Sequence, residues 1–146
     1  MKKKLILSIT FIVSLSPMLL SQYGGCKGVQ EIPGLINLFH PIGILSVLLF
    51  AIGVWMPFKH AAVNKAISAS GAIGIVISEI YQFFTRHIQT ITGRMSIKNS
   101  IRWTYPGFYI GLAASIVMVA AYFVIDRSVK DGSIEQNEEL QQQVIL

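Results

Sequence analysis

Between Pro106 and Ile125 the chain runs for 20 residues without a charged side chain, and this stretch restricts the fold more than any other feature. At about 1.5 Å per residue, a helix of that length reaches about 30 Å, the thickness of a bilayer's hydrocarbon core. Three more apolar blocks precede it. Leu5–Leu20 has 16 residues and gains length only by continuing toward Tyr23, with Ser14, Ser16 and Pro17 weakening its second half. Leu35–Met56 has 22 residues, interrupted by Asn37, His40 and Ser46 and ended by Pro57. Ala62–Phe84 carries Lys65 near its start and Glu79 inside it.

Apolar residues make up 53% of the 146-residue chain and charged residues 13%. A soluble domain carries about 25% charged residues, so too little charge is present here to cover a water-facing surface. The pattern predicts an all-α integral membrane protein, a compact bundle of four transmembrane helices with short loops. The expected spans are about 5–23, 35–56, 62–84 and 106–125. Residues 126–146, rich in Glu and Gln, are expected to form a polar, partly disordered cytoplasmic tail. Glycines and prolines mark Ser21–Gly34 as a loop, Phe58–Ala61 reads as a tight basic turn, and Thr85–Tyr105 is a polar segment. Aromatic residues near the block ends, including Trp55, Phe58, Trp103 and Tyr105, suit membrane interfaces.

Four spans place both ends of the chain on one side, and the Lys2-Lys3-Lys4 run favours the cytoplasm for that side. The inner segments then hold the three N-terminal lysines with Lys59, Lys65, Arg127 and Lys130, seven cations in all. The outer segments hold five: Lys27, Arg86, Arg94, Lys98 and Arg102. The expected location is a bacterial cell membrane. The net charge of +5 does not point to nucleic acid, because the basic residues lie between apolar blocks and no nucleic-acid-binding signature is present.

Cys26 is the single cysteine, so an internal disulfide is ruled out. Residues 1–26 also read as a leader that ends in a lipidated Cys26. The glycines before the cysteine fit such a signal, whereas Tyr23 three positions upstream does not.

Four groups of residues are candidates for function. Ala62, Ala66, Ser70, Gly74 and Ser78 recur every four residues in the third block, and Gly107, Gly111 and Ser115 do so in the fourth. Small side chains at that spacing let another backbone approach closely, as membrane helices require for association. Glu79 is the lone acidic residue within a span, where a carboxylate costs at least about 2 to 3 kcal/mol on insertion scales. Arg86, His87 and Arg102 are its candidate ion-pair partners, and coupling to a cation is the functional alternative. Arg94, Lys98 and Arg102 lie four apart, with Ile97 and Ile101 beside them. This predicts a short interfacial helix with its basic face toward anionic lipid. The alternation in Ile88–Thr92 before Gly93 would allow a hairpin instead. His40, His60 and His87 share no metal-ligand spacing, and no nucleotide, nucleophile-elbow or zinc-protease motif appears.

These features lead to a non-enzymatic small membrane protein without a cofactor, acting as an interaction or accessory subunit. Its expected partners are the lipid bilayer and another membrane protein or further copies of itself. Two alternatives remain: a small oligomeric transporter or channel component that uses Glu79, and a lipid-anchored protein processed at Cys26.

Overall fold

The computed structural model describes residues 2–24, 31–87 and 94–145, with side chains described for residues 3–24, 31–86 and 94–127. Helix α1 covers Lys2–Leu15 and runs into a 3-10 turn at Ser16–Leu19. The change comes at Pro17, whose missing N–H and fixed ring disfavour continued α-helix. Two short strands follow, β1 (Ser21–Tyr23) and β2 (Ile32–Pro33), then a second 3-10 turn at Gly34–Asn37. Helix α2 covers Pro41–Trp55 and α3 covers Ala61–His87. The short α4 (Ile97–Arg102) precedes α5 (Pro106–Ile145).

Local chemistry sets the helix ends. His40 caps α2 by accepting the Ile42 N–H at Nδ1, 3.4 Å away, and Pro41 sits where a helix needs no donor. Asn64 closes the turn into α3 by donating its amide to the carbonyls of Met56 (2.6 Å) and Gly53 (3.2 Å). Ser96 caps α4 by accepting the Asn99 N–H at 3.4 Å. Beyond Ile125, where the sequence reading places a partly disordered tail, the backbone of α5 continues as helix to Ile145.

The helices alternate in direction. Lys3 and Lys65 both reach Asp126, with N···O distances of 2.8 and 2.6 Å, and the Trp55 indole donates to Ser8 at 3.1 Å. These contacts gather the start of α1, the end of α2, the start of α3 and residue 126 of α5 at one end. At the other end, the Tyr105 N–H donates to the Gln22 carbonyl at 2.8 Å, and the His40 ring lies 5.2 Å from that of Tyr81. The two strands, expected only as loop, pair antiparallel there, Ser21 with Pro33 and Tyr23 with Ile32. Tyr23 also bridges to Thr104. Gly24 follows with φ +151°, a conformation that side-chain-bearing residues rarely adopt.

Close approach of α2 and α3 depends on glycines. A Cβ at Gly71 would lie 2.6 Å from the Ser46 carbonyl oxygen and 2.7 Å from Phe50 Cα, and one at Gly53 would lie 2.7 Å from Ser68 Cα. Where the helices meet, Phe11 stacks on Phe50 with ring centres 3.9 Å apart, and Tyr122 meets Phe50 edge-on. Leu7, Met18, Val54, Ala72, Ile75 and Met118 complete this core.

Beside this apolar core the interior holds polar side chains, and much of the surface is aliphatic. Ile12, Val13, Leu45, Leu48, Ile77 and Val117 are exposed, whereas Ser14, Ser46, Ser68, Ser78, Glu79 and Ser115 are buried. Two stretches are long and apolar enough to cross a membrane by length and composition: Ala61–Arg86, with 26 residues, and Pro106–Arg127, with 22. Helices α1 and α2 are shorter, at 14 and 15 residues.

Candidate functional site

At the end of the bundle that holds the strands, four elements direct polar side chains into one buried cluster. Strand β1 contributes Gln22, the turn after β2 contributes Asn37, α3 contributes Ser78, Glu79 and Gln82, and α5 contributes Ser115. Gln22, Glu79 and Ser115 are each 0% exposed. The Asn37 amide donates to Gln22 Oε1 at 2.8 Å, and Ser78 donates to the Asn37 carbonyl at 3.3 Å. Gly34 and Gly111 leave room for the Gln22 amide. A Cβ at Gly111 would lie 2.8 Å from Gln22 Nε2 and 3.4 Å from Glu79 Oε1, so both side chains lie against one glycine.

Gln22 Nε2 has no hydrogen-bond partner, and the Glu79 carboxyl has no cationic one, the Ser115 hydroxyl being the polar group beside it. Buried polar atoms are seldom left so, because each carries a desolvation cost of about 1 to 3 kcal/mol. A group of donors and acceptors around one carboxyl is suited to ordered water or a small polar or cationic guest. No three His, Cys, Asp or Glu side chains converge among the described residues. Compared with known proteins, the chain matches no family model, no curated protein and no solved structure.

Glu79 does not form the ion pair with Arg86 or Arg102 that the sequence suggests. Seven residues separate Glu79 from Arg86, which places the arginine about 10 Å farther along the helix axis. Its guanidinium lies over the Tyr23 ring, 5.9 Å from the centroid, and Arg102 lies over the Trp103 ring at 5.0 Å. The side chain of His87 lies outside the described residues.

The small-residue stripe of α3 divides. Ser78 is buried and Gly74 half-buried against Ser46, whereas Ala62, Ala66 and Ser70 are exposed. Four residues turn a helix by about 400°, so a stripe of period four drifts by about 40° per step and cannot stay on one face over five members. The buried face of α3 carries Ser68, Gly71, Ala72, Ile75, Ser78 and Glu79 instead. On α5, Gly107, Gly111 and Ser115 are all buried, but Gly107 lies against Ser21 and Leu20 rather than α3.

Among the basic residues, Lys98 and Arg102 lie on α4 and are exposed, as are Ile97 and Ile101. Arg94 precedes the Ser96 cap and is not on that helix. Cys26, the candidate lipidation position, and Ile88–Gly93, the alternative hairpin, lie outside the described residues. Sequence reasoning missed Gln22 as a site residue, since a glutamine in a glycine-rich stretch looks solvated. Asn37 did give a signal as a polar interruption in an apolar block.

Proposed function

We propose that this chain is a non-enzymatic membrane protein of four spans that serves as an interaction or accessory subunit. The observation that carries the reading is an aliphatic surface around an interior that holds hydroxyls, amides and a carboxyl as well as apolar side chains. Lipid is the solvent in which such a surface is stable. Element lengths support four spans rather than two. Helix α1 and the 3-10 turn that continues it rise about 21 Å and about 8 Å, close to a hydrocarbon core of about 30 Å. Helix α2 rises about 22 Å after its own 3-10 turn. With the helices alternating in direction, we assign the N-terminal lysines, Lys59, Lys65 and Arg127 to the cytoplasmic face.

The interaction role rests on α3. Ala62, Ala66 and Ser70 are not covered by the chain's own helices and offer a shallow face at helical spacing, suited to close packing of a second copy or another membrane helix. Its test is cross-linking from Ser70→Cys in a Cys26→Ser background in native membranes. A defined adduct with one species supports the subunit reading. No adduct, together with full activity of the associated system when the chain is deleted, overturns it.

A second reading is a small oligomeric transporter or channel component. The buried carboxyl of Glu79, which has no cationic partner, favours it. Cation flux into vesicles that disappears in Glu79→Gln would support this reading, and unchanged flux would make Glu79 structural.

A further inference from the structure

The end of the bundle opposite Glu79 holds a cleft of about 780 Å³ between α1, the α2–α3 turn and α5. Lys3, Lys4, Lys59 and Lys65 line it, and Asp126 is the acidic residue among its lining groups. Both carboxyl oxygens of Asp126 are engaged, one by Lys3 at 2.8 Å and the other by Lys65 at 2.6 Å. Four cations against one anion leave a formal charge of +3 on the lining side chains. Lys4 reaches only the Trp55 carbonyl, at 3.5 Å, and neither Lys4 nor Lys59 has a carboxylate partner among the described residues. Leu7, Val54, Phe58 and Tyr122 give the cleft an apolar wall, with Asn64 and Ser68 also in its lining.

The geometry points to a binding site for one anionic phospholipid, its phosphate held by Lys4 and Lys59 and an acyl chain lying along the apolar wall. This inference rests on the membrane reading above. Charge complementarity selects an anion, since the unmatched lysines line the same cleft. The apolar wall selects an amphiphile over a free anion, because Leu7, Val54 and Phe58 offer a soluble phosphate no hydrogen bonds. The cleft lies within the size range of ligand pockets, about 300 to 1,000 Å³. Lys98 and Arg102 lie at the other end of the molecule, where both side chains are exposed on α4.

The test uses the full chain, fractionated from membranes, extracted in mild detergent and titrated by native mass spectrometry. The added ligands are phosphatidylglycerol, phosphatidylcholine and inorganic phosphate. The expected result is one phosphatidylglycerol retained per chain in preference to phosphatidylcholine and not displaced by phosphate. Lys4→Gln with Lys59→Gln should weaken retention roughly ten-fold or more, the scale expected for two lysines near an anionic headgroup. Lys98→Gln with Arg102→Gln should leave it unchanged. An unaltered melting temperature in the first double variant separates lost binding from lost folding. Equal retention of both lipids, displacement by phosphate, or full retention in that folded variant overturns the lipid site while leaving the membrane reading intact. Recovery of the chain in the soluble fraction overturns both.

Discussion

Asp126 and Lys3 are 123 positions apart in the sequence and 2.8 Å apart in the fold. Lys65 takes the other carboxyl oxygen, so a single aspartate fastens α1 and α3 to α5 at one end of the bundle. Asp126→Ala removes both pairs and leaves the lysines facing one another. The lysines are themselves part-exposed, so solvent screening keeps the loss modest, about 1 kcal/mol. The thermal midpoint in detergent is expected to fall by about 2 to 4 °C. An unchanged midpoint would show that the triad does not hold the helices.

The glycines of the α2–α3 contact should be far less tolerant than the small residues on the outer face of α3. Gly71→Ala and Gly53→Ala each drive a methyl into the opposing backbone, and overpacking of this kind costs about 1 to 3 kcal/mol. Ala66→Val and Ser70→Val add more volume but at exposed positions. Thermal unfolding of the isolated chain should separate the two pairs, with Gly53 and Gly71 variants destabilised and Ala66 and Ser70 variants close to wild type. The outer variants should instead weaken cross-linking to a neighbour. The reverse order would place the packing face on the wrong side of α3.

This contrast also marks what the sequence could and could not convey. Pro17 and Pro57 and the long apolar blocks made the helical segments legible, because backbone chemistry and hydropathy act locally. The burial of Gln22 depends on pairing between residues 21–23 and 32–33 and on a bridge to Thr104, 81 positions from Tyr23. Nothing local in a glycine-rich segment encodes such a contact. Glu79 was legible as an oddity, yet its surroundings were not, since Ser115 and Gln22 approach it from two other elements. The α3 stripe misled because regular spacing in sequence is not a fixed direction on a helix of 3.6 residues per turn.

Glu79→Gln tests how the buried carboxyl is accommodated. The amide keeps the shape of the side chain and removes its capacity for charge, among neighbours that supply no counter-ion. Fold stability should be equal to wild type or higher, by up to about 2 to 3 kcal/mol if a charge had been carried into the apolar interior. A marked loss of stability would mean that a bound cation or a protein partner compensates a carboxylate at this position.

Tyr122 joins two helices through its hydroxyl, which lies 2.6 Å from Ser68 Oγ and donates to the Lys65 carbonyl at 3.2 Å. Tyr122→Phe retains the ring contact with Phe50 and removes these bonds. It is expected to cost about 1 kcal/mol, read as a lower unfolding midpoint. Ser68→Ala should lose a comparable amount, and the double variant should lose less than the sum, since both sever the same bond.

The most direct test of the four-span account is the sidedness of Lys59 and Lys98, which sit at opposite ends of the bundle. Single cysteines at these positions, in a Cys26→Ser background, are exposed to a membrane-impermeant thiol reagent in intact cells and again after permeabilisation. The account requires Lys98→Cys to react in intact cells and Lys59→Cys to react only once the membrane is opened. Reaction of both positions from the same side would contradict it.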